Sequence, residues 1–141
     1  MDNRKDEQKV EGQRKLTPMQ TLPVYHEFKK FRKYMFVAIE KMPKWLKHSA
    51  GRDCEACISL CVRCLSVFSR TYDKGEKVRA LESFLTEWDA MSDLISLFAE
   101  VQGLSNHQRE VIYVMRDKIE GQVTALLSWS MTIASGQDQS V

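Results

Sequence analysis

The chain has 141 residues, which suits one domain and is too short for two of good size. Hydrophobic residues make up 43% and charged residues 28%, the balance of a globular protein, with a formal net charge of only +2. The 6 Gly and 3 Pro are too few for a sandwich, a barrel or a collagen-like chain, and no run of about 18 apolar residues offers a membrane span.

The first 20 residues are polar, charged and aperiodic, and are expected to form a disordered arm. The opening residues contain no apolar stretch of the kind a secretory signal needs. A cytoplasmic protein with four reduced Cys is therefore expected. Thr21-Leu22-Pro23 then starts a helix, with Pro23 in the first turn, where its missing N–H costs nothing. Val24, Phe28, Phe31, Met35, Ala38, Ile39 and Met42 follow at helical spacing, and Pro43 ends or kinks the helix. Lys44 to Gly51 reads as a short basic connection in which Trp45 and Leu46 pack.

A second helix is expected from about Arg52 to Thr71, on Cys54, Cys57, Ile58, Cys61, Leu65 and Phe68, with Val62 and Val67 beside them. Tyr72-Asp73-Lys74-Gly75 has the composition of a turn. A third helix follows from about Glu76 to Gln102, facing Val78, Leu81, Leu85, Trp88, Met91, Ile95, Phe98 and Val101 or their neighbours inward. Gly103 suits the left-handed residue after a helix, with Leu104 as its apolar contact. Ser105 and Gln108 form a capping box that opens a fourth helix, running to about Thr132 on Val111, Ile112, Met115, Ile119, Val123, Leu126 and Trp129. The expected architecture is an all-α, antiparallel up-down-up-down four-helix bundle over residues 21–134, with a flexible tail over 135–141.

Chemistry-bearing residues are sparse. Cys54, Cys57, Cys61 and Cys64 form two C-x-x-C pairs, a pattern that elsewhere binds zinc or an iron–sulfur cluster. On one helix, however, the outer pair is separated by about 15 Å along the axis. A zinc ion needs every thiolate within about 2.3 Å. The four share a narrow face with Ile58, Leu65 and Phe68, so they read as small core residues, and no metal or cofactor is expected. A metal shared with another chain, or a redox role for Cys54–Cys64, is the alternative. His26, His48 and His107 are scattered, and only His107 has a carboxylate, Glu110, at ligand spacing. No nucleophile elbow, phosphate loop, zinc-protease motif or dinucleotide fingerprint occurs, so a non-enzymatic protein is expected.

Charge is the stronger signal. Residues 14–52 hold ten basic and two acidic side chains, a net of +8, whereas residues 53–141 carry a net of −5. On a helical wheel His26, Lys29, Lys30, Lys33 and Lys41 lie opposite the apolar stripe, and Lys44, Lys47 and Arg52 extend the patch. Lys29, Lys30, Lys33, Lys41, Lys44, Lys47 and Arg52 are thus the candidate nucleic-acid-binding residues, since phosphate contacts need no further motif. A merely solvated face, or the docking of an acidic protein surface, are the competing readings.

Several segments in order resemble one group of proteins: Leu22-Pro23-Val24-Tyr25-His26, Met42-Pro43-Lys44, Gly51-Arg52, Leu104-Ser105-Asn106-His107-Gln108 and Leu127-Ser128-Trp129. Over residues 22–132 the chain is similar to the small four-helix-bundle proteins that include those encoded in intervening sequences of large ribosomal RNA genes and the accessory variability determinants of diversity-generating retroelements. The resemblance to the retroelement branch implies a barrel-like homopentamer that binds RNA or DNA and partners a reverse transcriptase making mutagenised cDNA. The ribosomal branch implies a structural or interaction bundle with no polymerase partner. Two features depart from the family pattern: the modest net charge of +2 and the Cys-rich second helix.

Overall fold

A computed structural model describes residues 15–136. These form an all-α structure with four long helices: α1 (Pro23–Glu40), α2 (Arg52–Arg70), α3 (Lys74–Glu100) and α4 (Asn106–Ala134). No strand occurs among the described residues, and no helix among them is long and apolar enough to cross a membrane. Helix α2 packs most heavily on α3, α3 on α4, and α4 on α1, while α1 and α2 meet only sparsely.

Local chemistry explains each boundary. Pro23 opens α1 after an extended Leu22. The basic connection expected after Pro43 is itself helical. Lys44–Leu46 makes one helical turn and Lys47–Gly51 a wider, π-type turn that runs directly into α2. Helix α3 starts two residues earlier than expected, because Asp73 caps it by accepting from the Glu76 N–H at 2.8 Å. Lys74 and Gly75 therefore belong to the helix rather than to a turn. Across the same corner Lys77 donates to the Phe68 carbonyl at 2.6 Å, satisfying an orphan acceptor at the end of α2. The expected capping box opens α4: Gln108 N–H donates to Ser105 Oγ at 3.1 Å, and Ser105 N–H to Gln108 Oε1 at 2.9 Å.

The left-handed residue after α3 is Gln102, at φ 59°, and not Gly103. Gly103 N–H donates to Phe98 O at 2.7 Å and Gln102 N–H to Ala99 O at 3.3 Å, the paired bonds of a Schellman ending. Gly103 is needed for proximity instead: a Cβ there would lie 2.5 Å from Leu46 Cδ2.

Every apolar residue read on α1, together with Met42, is buried. Phe28 and Phe31 meet Phe84 and Trp88 of α3 at the centre, with Phe31–Trp88 centroids 5.1 Å apart and Phe84–Trp88 stacked at 5.4 Å. The α3 stripe is therefore Ala80, Leu81, Phe84, Trp88, Met91, Ile95 and Phe98; Val78 and Leu85 are half-buried and Val101 is exposed. On α4 the stripe passes through Ile112, Ile119, Val123 and Ser130, which leaves Trp129 52% exposed rather than inward. Residues 15–18 and 20 of the expected polar arm are exposed, while Met19, in a 3₁₀ turn over Met19–Thr21, packs against the core. The rest of that arm, and all but the first two residues of the expected tail, lie outside the described residues.

Candidate nucleic-acid interface

Burial of the α1 stripe turns the opposite side of the helix to solvent. Lys29, Lys30, Lys33 and Lys41 are all exposed, as are Lys44 and Arg52 beyond the helix, and Lys47 is half-buried. Their electrostatic freedom differs. Lys47 lies 3.0 Å from Glu40, so the two largely neutralise one another. Lys30 sits 3.9 Å from Glu27, a carboxylate that also accepts from Lys118 of α4 at 3.1 Å. The Lys118 hydrogen bond holds the Glu27 carboxyl below its ordinary value, with smaller contributions from Lys118 and Lys30 charge. Arg52 lies 3.5 Å from His48 Nδ1. Among the described residues Lys29, Lys33, Lys41 and Lys44 have no carboxylate within ion-pair distance. Ion pairs on an exposed surface are worth little to stability, so cations without partners are free to serve a polyanion.

Four further side chains belong to this surface. Arg32 is exposed at the edge of the apolar stripe, where a wheel places it between core and solvent. With Phe36 it lines a shallow groove of about 150 Å³ between α1 and α2, closed by Glu55, Ile58 and Ser59. Phe36 is 57% exposed and Val37 45%, so the basic face also carries apolar area. Trp45, expected to pack inside the connection, is 64% exposed; only its neighbour Leu46 enters the core.

The cysteines make a different arrangement. Helix α2 turns them toward α3, with Cys54 and Cys61 fully buried and Cys57 and Cys64 half-buried. Cys61 donates weakly to the Phe84 carbonyl, with Sγ at 3.8 Å. Burial pushes the Cys54 thiol up to about 12 and raises Cys61 further. Cys57 and Cys64 are raised by burial first and then by the Glu87 carboxylate. The thiolate is the form that binds metal or attacks an electrophile, and this environment opposes it at all four positions. Among the described residues no three His, Cys, Asp or Glu side chains converge as metal ligands. His26, His48 and His107 are all exposed, and Glu110 is exposed with His107.

Comparisons with models of known families, with curated proteins and with solved structures return no match.

Proposed function

We propose that this chain is a non-enzymatic, nucleic-acid-binding accessory subunit that partners a reverse transcriptase. In this reading it is an antiparallel up-down-up-down bundle that assembles as a closed homo-oligomer. The observation that carries the binding function is the outer face of α1 and the turn after it, where Lys29, Lys33, Lys41 and Lys44 are exposed and have no acidic partner among the described residues. The polymerase partner and a count of five subunits come from the resemblance in segment order to retroelement accessory proteins. Oligomerisation draws further support from α2, where Leu60 and Val67 are 40% and 52% exposed beside a groove of about 380 Å³ shared with α3. Closed rings are the usual solution for identical subunits, and a ring multiplies a basic patch that is modest in one copy.

Phosphate contacts carry no base information, so binding is largely independent of sequence and falls steeply with salt. The test is an anisotropy titration with RNA and with DNA at two salt concentrations, using wild type and the Lys29→Glu, Lys30→Glu, Lys33→Glu triple variant. The three positions face water, so the variant keeps its helical circular dichroism. Loss of two to three phosphate contacts, Lys30 being already shared with Glu27, lowers the salt slope by about 2–3 on duplex DNA. Equal binding by both proteins, or no salt-sensitive binding by wild type, refutes the basic-surface mechanism.

A further inference from the structure

The basic face displays aromatic surface as well as charge. Trp45 is 64% exposed and Phe36 57%. Both lie inside the segment that holds the lysines without an acidic partner among the described residues: Lys33 is three residues before Phe36, Lys41 is four before Trp45, and Lys44 is adjacent to it. The backbone beneath Trp45 is held firmly. Leu46 and Lys47 N–H both donate to Pro43 O, at 3.0 and 2.9 Å, and the Trp45 carbonyl accepts from Ser49 Oγ at 2.6 Å. Leu46 is 2% exposed and wedged against Gly103, so the turn is anchored through Leu46 while the indole stays outside. Trp129 makes an instructive contrast. It is exposed to a similar degree, but residues 124–134 contain no charged side chain, so its own helix segment supplies no cation beside it.

An aromatic ring on a rigid mount, flanked by free cations, is the combination that binds single strands: bases stack on the ring while phosphates meet the lysines. A duplex offers no such partner, because its bases already stack on one another and only their edges reach the grooves. Resting on the nucleic-acid reading above, we propose that Trp45, assisted by Phe36, is a stacking platform for unpaired bases, and that this face prefers single-stranded nucleic acid to duplex.

The test measures binding of oligothymidylate and of a duplex of equal length by wild type, Trp45→Ala, Trp45→Phe and the control Trp129→Ala. Trp45→Ala weakens the single strand by roughly 5- to 150-fold, the range found for removing one stacked base contact. Its duplex affinity and its salt slope stay unchanged, because the phosphate contacts remain. Trp45→Phe recovers part of the loss, and Trp129→Ala behaves as wild type. An equal loss on both probes, or none on either, overturns the stacking role. Light scattering that shows Trp45→Ala dissociating an assembly also overturns it and assigns the indole to a subunit contact. If wild type binds neither probe in a salt-sensitive way, the nucleic-acid reading itself fails; if it binds both and Trp45→Ala matches it, only the stacking role fails.

Discussion

The end of α3 offers a sharp test of how the helices are held together, because removing a side chain at one residue and adding one at the next have opposite expected effects. Gln102 sits at φ 59°, where a residue with a Cβ is disfavoured by about 1–2 kcal/mol. Gln102→Gly removes that strain, and the greater freedom of glycine in the unfolded chain returns about 0.5–1 kcal/mol of it. The net expectation is a gain of about 0.5–1 kcal/mol. Gly103 has no strained φ to relieve. Its missing Cβ leaves room for Leu46, whose Cδ2 would stand 2.5 Å from an added methyl, with Met42 Sδ and Phe98 O at 3.8 and 3.4 Å. Leu46 is buried and has little room to withdraw, so Gly103→Ala overpacks the junction at a cost of about 1–3 kcal/mol. The unfolded-state benefit of alanine offsets about 0.4–1 kcal/mol of this. Urea melts of both variants at one protomer concentration measure the two effects, with each 1 kcal/mol also moving Tm by roughly 3–5 °C. A destabilising Gln102→Gly, or a Gly103→Ala variant as stable as wild type, refutes this account of the junction.

Changing Cys57 and Cys61 together to Ala is expected to cost about 1–3 kcal/mol through small cavities and to leave nucleic-acid binding in the folded fraction intact, checked by urea melts and anisotropy; stoichiometric metal in native protein that vanishes from the variant sinks the packing role. The buried thiols also set an alkaline limit. The folded Cys54 thiol is raised to about 12 from an ordinary 9.0, and Cys61 is raised further, so above pH 9 the unfolded chain releases protons that the folded chain keeps. Stability is therefore intact below that pH and falls as pH rises past it, by up to about 1.4 kcal/mol per pH unit for each thiol. Urea melts across this range follow the decline, and Cys54→Ala, Cys61→Ala flattens it; an unchanged slope in that variant rules the thiols out as the cause.

Much of the fold was legible because its signals are local. The α1 stripe repeats at the period of the helix, so its six buried residues are readable without knowing what they touch. The Ser105–Gln108 box closes within four residues, and Pro23 sets its own backbone angle. The single-faced spacing of the cysteines was enough to argue for packing, since the helix itself keeps Cys54 and Cys64 far apart.

The remainder was settled by partners distant in sequence. Phe84 and Leu85 are equally apolar neighbours, and the aromatic cluster with Phe28 and Trp88 takes Phe84 into the centre. Trp45 and Leu46 both suit an interior, but the space beside Gly103 accepts one side chain, and Leu46 fills it. The basic patch is uneven because folding pairs some of its lysines. Composition counts Lys30 and Lys47 with the others, yet Lys30 shares Glu27 with Lys118, 91 residues from that carboxylate, and Lys47 reaches back to Glu40. Periodicity specifies which side of a helix faces inward; packing against the other helices decides which side chain occupies each space and which charges remain free for a ligand.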